Sequence, residues 1–217
     1  ARAAQIASGY ADVIVHRHGE VFSAHEAAKG ARVPLINAGD GTYEHPTQAL
    51  VSLYVMRKEK DTINGLTIAL AGDLRHSRHA HSLARTLTHW DVTLRLVSPA
   101  SLKMATVITV PLKRSISVLE TDDVTYALSG CDVLCVAPID ERHFSRPADA
   151  ARARERCAID RSMAQLEDSE VLVIHSPEEG LGLERESLAR GRYCQQAADA
   201  VWVRMALLAL LLDAPLP

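Results

Sequence analysis

Short apolar runs alternate with segments of helical spacing along almost the whole chain, and this alternation most restricts the folds open to it. Apolar runs fall at 12–15, 33–36, 67–71, 92–97, 115–119, 132–136 and 171–174. Between them, 23–29, 46–60, 77–88, 123–128, 148–156 and 162–167 have helical spacing or helix-forming composition. Strands separated by helices are the pattern of βαβ units, which build parallel sheets. The runs are continuously apolar rather than alternating, as expected of strands covered on both faces. The sequence therefore predicts an α/β fold with parallel sheets flanked by helices.

Composition narrows the function classes. The 217 residues carry 24 Lys+Arg against 27 Asp+Glu, a formal charge of −3, so the basic bias of a nucleic-acid or membrane-surface binder is absent. A hydrophobic content of 47% is ample for a core and excludes a disordered chain. The cysteines Cys131, Cys135, Cys157 and Cys194 have no metal-ligand spacing; Cys131 and Cys135 flank an apolar run, where a thiol packs as a small hydrophobe. No signal-peptide pattern opens the sequence, and the apolar stretch 200–212 falls short of the ~20 residues a membrane span needs. That stretch reads as a buried terminal helix, and the chain as a cytoplasmic protein.

The strands fall into two groups. Two precede the helical segment 46–60, and five follow the polar turn at 61–65. Two strands do not bury a domain by themselves, so the first group reads as the second half of a domain whose beginning lies elsewhere. The five-stranded group reads as a domain in its own right.

In open parallel sheets, ligands bind beyond the carboxyl ends of strands, which directs attention to three segments. After the run 33–36, Gly39 and Gly41 permit a tight turn, Pro46 suits a first helical turn, and His45 and Gln48 lie three apart at a helix start. A histidine and an amide placed there can donate to a carbonyl oxygen that gains negative charge, or can simply cap the helix. After 67–71, Ser77 suits a helix cap, and Arg75 and Arg78 suit carboxylate or phosphate recognition or a solvated loop. His76, His79 and His81 in the same stretch lack the i, i+4 spacing of a metal-binding helix, so no metal site is expected. After 171–174, His175 and Ser176 are adjacent in sequence, which does not make a catalytic triad, and Gly180 and Gly182 do not make a phosphate fingerprint.

The order of these motifs resembles the aspartate carbamoyltransferase family. NAGDGTYEHPTQAL at 37–50, INGLTIALAGDLRHSRHAHSLARTL at 63–87 and LVSPASLKM at 96–104 carry the resemblance. ETDDVTYALSGCDVLCV at 120–136 and CQQAADAVWVRMALLALLL at 194–212 continue it. The Gly72-Asp-Leu run ending at Arg78 favours the aspartate over the ornithine branch.

The resemblance implies a two-domain transferase that moves a carbamoyl group from carbamoyl phosphate to the amine of aspartate in pyrimidine biosynthesis. It implies a homotrimer with shared active sites and no metal or organic cofactor. The implied division is the second half of a carbamoyl-phosphate domain at 1–48 and a connecting helix at 49–62. An amino-acid domain at 63–190 and a helix at 191–217 returning to the first domain complete it. His45 would donate to the carbamoyl carbonyl, Gln48 would bind its amide, and Arg17 would join them at carbamoyl phosphate. Arg78 would hold the acceptor's α-carboxylate.

The departures from the family pattern are specific. The Ser-Thr-Arg-Thr phosphate-binding helix does not occur in these residues. Where the family has Thr-Arg-hydrophobic-Gln for the acceptor's side-chain carboxylate, Pro138 and Asp140 replace the arginine and the glutamine. The family's His-Pro-Leu-Pro-Arg loop reads His175, Ser176, Pro177, Glu178, Glu179, and Glu44 precedes His45. Four carboxylates are thus expected around a site for a dianion, where one like-charge pair at ~4 Å costs roughly 4 kcal/mol at an effective dielectric of ~20. Three readings follow: a transferase with aspartate or an altered amino acid, such as a cationic one, as acceptor, with Asp140 in its binding; an inactive paralogue serving as a structural or regulatory subunit beside an active homologue; or a small-ligand-binding module.

Overall fold

A computed structural model describes residues 1–157, 170–175 and 196–214. Helix α1 (Arg2–Ala7) precedes β1 (Ile14–His18), α2 (Ser23–Ala28) and β2 (Leu35–Asp40). The long α3 (Pro46–Lys60) leads to β3 (Thr67–Gly72), α4 (Arg78–Leu87), β4 (Thr93–Val97), α5 (Thr106–Ser115) and β5 (Ser117–Thr121). Then come α6 (Val124–Leu128), β6 (Val133–Ala137), α7 (Pro147–Cys157), β7 (Leu172–His175) and α8 (Gln196–Leu211). Strands β1 and β2 form a parallel pair; the other five form a parallel sheet in the order β5-β4-β3-β6-β7. The expected α/β architecture, with two strands before the long helix and five after it, is the one observed.

The five-stranded sheet is buried on both faces, which explains its continuous apolar strands. Ile68 and Leu70 of β3, Leu94 and Leu96 of β4, and Val133 and Cys135 of β6 join Leu53 and Met56 of α3 and Leu83 and Leu87 of α4 on one face. The alternate residues Ala69, Ala71, Leu134 and Val136 pack with Leu128 and Cys157 on the other. Cys131, Cys135 and Cys157 are buried free thiols, and burial raises the pKa values of Cys131 and Cys135 above the ordinary thiol range. Cys194 and the helix expected at 162–167 lie outside the described residues.

Several expected boundaries move. Strands β1, β2 and β5 start about two residues later than their apolar runs and extend into polar residues such as His16, Asn37 and Glu120. Apolarity marks only the covered part of a strand, whereas pairing continues beyond it. Helix α5 escapes the sequence pattern because its β-branched residues and internal Pro111 argue against a helix; burial of Ile108, Thr109 and Leu112 overrides that bias. The expectation of a buried terminal helix is corrected. Helix α8 packs on α3 through Ala200 and the Asp199–Lys58 ion pair, but Val201, Trp202, Met205 and Leu210 are exposed. No helix among the described residues is long and apolar enough to cross a membrane.

The strand order reverses between β3, which continues to β4, and β6, which lies on its other side. At the carboxyl ends of these strands Gly72 pairs with Ala137, and the Asp73 N–H donates to the Ala137 carbonyl at 3.0 Å. Gly72 has φ +119°, and a Cβ there would lie 1.9 Å from the Ala137 carbonyl oxygen. Gly72→Ala should therefore cost several kcal/mol, on the order of 3 or more, through backbone strain and collision. Gly130→Ala, at positive φ with open space around it, should cost about 1 kcal/mol. Urea denaturation of the two variants checks the contrast; equal losses would contradict it.

Candidate active site

The segments that leave β2, β3 and β6 surround a cavity of about 300 Å³. Its position at the reversal of strand order is where doubly wound sheets bind ligands. The first wall is the turn between β2 and α3. Asn37 Oδ1 accepts from the Gly39 N–H at 2.8 Å, while Asp40 Oδ1 accepts from Asn37 Nδ2 and from the Glu44 N–H, each at 3.1 Å. Asp40 is fully buried, so the turn closes around a carboxylate on its own polar groups.

This turn presents the first helical residues of α3. His45 is the N-cap position and Pro46 follows, where a missing N–H leaves no helical bond unmade. The His45 N–H donates to Ser82 Oγ at 2.8 Å, and its Nδ1 lies 3.3 Å from Thr47 Oγ1. His45 and Gln48 are both buried and both line the cavity. Arg204 of α8 reaches Gln48 Oε1 at 3.5 Å. The positive end of the α3 dipole and two side chains able to donate thus meet at one wall, an arrangement suited to a carbonyl oxygen that gains charge.

Two arginines border the same space. Arg17 comes from β1, and Arg78 is the first residue of α4, whose N-cap Ser77 accepts from the Ala80 N–H at 3.2 Å. Arg78 Nη1 lies 3.4 Å from the Gly41 carbonyl. It crosses the β2 turn over Gly39, where a Cβ would sit only 2.8 Å from that nitrogen; Gly39 itself has φ +120°. Arg75 instead reaches out to the Ser101 carbonyl at 3.5 Å and does not line the cavity. His79 binds Ser52 Oγ at 2.8 Å, and burial pulls its pKa down to about 4.

The third wall follows β6 and contains Pro138, Asp140, Arg142 and His143. Of the carboxylates expected here, Asp140 and Glu44 each have a cationic partner, while Glu178 and Glu179 lie outside the described residues. Arg142 binds the Asp140 carboxylate through Nε at 2.8 Å and through Nη2 at 2.5 Å. Together with the Arg142 N–H, this guanidinium holds the Asp140 pKa down to about 2. Glu44 does not line the cavity: it forms an ion pair with Arg85, accepts from Ser82 Oγ and borders a neighbouring groove with Tyr43. Ser176 and Glu178 lie outside the described residues. Arg142 and His143 were not singled out from sequence because their stretch is merely polar and arginine-rich. The available signal was their place just after a strand, the same logic that exposed the other two segments.

Two titrations test these environments. By NMR, His79 should stay neutral down to about pH 5 and protonate near 4; a midpoint near 6.5 would contradict its burial. Because the unfolded imidazole protonates near ~6.5 and the folded one lower, stability falls as pH drops through this window. The fall should be smaller in His79→Gln. Asp140 has the opposite charge logic: with its folded pKa depressed from 3.8, its contribution is present above about pH 4 and is lost as pH falls through about 2. Arg142→Ala should return the Asp140 midpoint toward the ordinary carboxylate range, and an unchanged midpoint would contradict the pairing.

Comparison with known proteins identifies the family and the fold. Residues 1–58 match the carbamoyl-P binding domain, and residues 64–211 the Asp/Orn binding domain, of the aspartate/ornithine carbamoyltransferases. The aspartate carbamoyltransferase catalytic subunit of Thermoplasma acidophilum is 35% identical over 206 residues, covering 94% of this chain and 68% of that protein. The multifunctional protein CAD of Squalus acanthias is 38% identical over 211 residues, covering 96% of this chain and 9% of that protein. The catalytic subunit of M. jannaschii aspartate transcarbamoylase superposes with a TM-score of 0.84 at 31% identity, over 98% of this chain and 70% of that one. Trypanosoma cruzi aspartate transcarbamoylase, in complex with N-(phosphonacetyl)-L-aspartic acid, superposes with a TM-score of 0.85 at 29% identity, over 95% and 68%. The chain thus spans about a tenth of the multifunctional relatives and just over two thirds of the catalytic subunits. Two domain matches in the order of the fold, joined to a shared architecture, show that the chain belongs to the aspartate/ornithine carbamoyltransferase family.

Proposed function

We propose that the chain carries the carbonyl-activating and acceptor-binding parts of a carbamoyltransferase, which transfers a carbamoyl group from carbamoyl phosphate to the amine of an amino acid. The observation that carries this reading is the meeting of His45 and Gln48 with Arg17 and Arg78 around one cavity. Structures of the T. cruzi relative hold carbamoyl phosphate and aspartate, the ligand classes such a cavity suits. On this reading residues 1–48 are the second half of the carbamoyl-phosphate domain and 49–62 the connecting helix. Residues 63–190 are the amino-acid domain, and 191–217 return to the first domain. The working form is a cytoplasmic homotrimer.

In the proposed reaction the acceptor amine attacks the carbamoyl carbon. A C–N bond forms, the carbon–oxygen bond to phosphate breaks, and phosphate leaves with a proton from the amine. His45 donates to the carbonyl oxygen as its charge grows, Gln48 orients the carbamoyl amide and Arg17 offsets phosphate charge. Arg78 holds the acceptor's α-carboxylate. Arg142 supplies the second guanidinium that Pro138 does not, exchanging Asp140 for the acceptor's own carboxylate.

The test uses the full natural protein with carbamoyl phosphate and single amino acids, following phosphate release and the carbamoylated product by mass spectrometry. Turnover with an acidic acceptor, reduced by ~10² or more in kcat by His45→Ala, is expected. Arg142→Ala should raise KM for that acceptor about tenfold or more, with a smaller effect on kcat. Absence of carbamoyl-phosphate binding by calorimetry would overturn the proposal. Pro138 and Asp140 favour a second reading, an inactive subunit paired with an active homologue. Absence of turnover together with a stable mixed complex would support it.

A further inference from the structure

We propose that Asp73, His76 and His143 form a binding site for a divalent transition-metal ion of the zinc class at the edge of this cavity. The site does not depend on the carbamoyl-transfer reading. Its three residues come from the two segments that diverge at the strand reversal: Asp73 and His76 follow β3, and His143 follows β6. Each offers a ligand atom, and these atoms all lie within 4.8 Å of one another.

The distances suit one small ion. His76 Nδ1 is 2.9 Å and His143 Nδ1 is 3.6 Å from Asp73 Oδ2. With zinc bonds of ~2.0–2.2 Å to nitrogen and oxygen, two ligands at a tetrahedral angle stand about 3.3 Å apart, between these two values. The imidazoles lie side by side, ring centroids 4.3 Å apart and planes tilted by 35°, so both δ nitrogens face the one carboxylate.

The supporting contacts orient the ligands. Asp73 Oδ1 accepts from the N–H groups of Arg75 at 3.2 Å and His76 at 3.1 Å. His76 Nδ1 lies 3.1 Å from Oδ1 as well as 2.9 Å from Oδ2, so the imidazole spans both oxygens of a carboxylate that these backbone donors hold in place, as an outer shell does for a ligating carboxylate. The Asp73 side chain is only 3% exposed, whereas those of His76 and His143 are 25% and 31% exposed and provide an entry path. One carboxylate with two imidazoles is a donor set for zinc-class ions rather than for magnesium or calcium, which prefer all-oxygen shells. An imidazole that ligates through Nδ1 carries its proton on Nε2, and such binding needs no redox partner. His76 and His143 both line the cavity, so the remaining coordination positions border the space proposed for the acceptor.

The test is calorimetric titration of tag-free, chelator-treated protein with zinc chloride, with cobalt(II) as a second probe read by its visible ligand-field bands. One equivalent is expected, with micromolar or tighter affinity and a rise in melting temperature on adding zinc. His143→Ala and His76→Ala should each weaken binding at least tenfold and abolish that rise. The metal-free melting temperature of His143→Ala should stay close to that of the parent, because its side chain is partly exposed at the end of the short 3-10 turn Glu141–His143 and outside the apolar core. No saturable binding would overturn the site. Binding that survives in the double variant His76→Ala/His143→Ala would also overturn it, placing the ion elsewhere.

Discussion

Where β3 and β6 end side by side, Gly72 rests against the Ala137 carbonyl and the chain turns away in two directions. Everything assigned to the second domain's share of the cavity hangs from that contact. The segment after β3 delivers Asp73, His76 and Arg78, and the segment after β6 delivers Pro138, Asp140, Arg142 and His143. A side chain at position 72 would force these strand ends apart, so a steric constraint inside the sheet sets the width of the site. The apolar residues alternating on both faces keep the sheet in place beneath it.

The first domain's share is coupled to the second through the seam between α3 and α4. Ser82 accepts from the His45 N–H and donates to Glu44, His81 Nδ1 lies 3.2 Å from the Tyr43 carbonyl, and Ser52 meets His79. Buried polar groups of this kind cost stability when left unmatched, so they restrict the seam to arrangements in which the pairs form. They also carry His45 into the cavity wall opposite Arg78. The catalytic candidate is therefore positioned by the residues that join the two sheets.

Legibility in the sequence follows the same division between local and distant causes. Helix α3 was readable to its ends, because Pro46 marks its start and the polar turn at 61–65 its end. The inner strands β3 and β6 were readable because burial on both faces leaves them almost continuously apolar. Helix α5 was hidden, since only packing of Ile108 and Leu112 overrides its β-branched residues and proline. At the site, His45, Gln48 and Arg78 stood out from their places after strands. The partners of Glu44 and Asp140 did not: Arg85 is remote from Glu44 in the chain, and Arg142 falls two residues beyond Asp140 in an uninformative polar stretch. The grouping of His76 with His143 spans two segments and has no sequence spacing at all.

Charge at the acceptor side shows why that distinction matters. Counted along the chain, Pro138 and Asp140 replace a cation and a neutral amide by nothing and an anion, and the site should repel a dicarboxylate. Counted in space, Asp140 is already matched by Arg142, whose side chain is 85% exposed. The Asp140 side chain is 23% exposed, so the solvent-facing guanidinium is the open partner, which a ligand carboxylate can reach and for which it can compete with Asp140. A buried pair would not exchange so readily, because separating it strands a charge in a poor solvent. The same two substitutions that appear to abolish acceptor binding thus leave a guanidinium at the cavity, held ready by an internal carboxylate. On the proposed reading, the guanidinium for the acceptor comes from Arg142, four residues beyond Pro138 in the same loop.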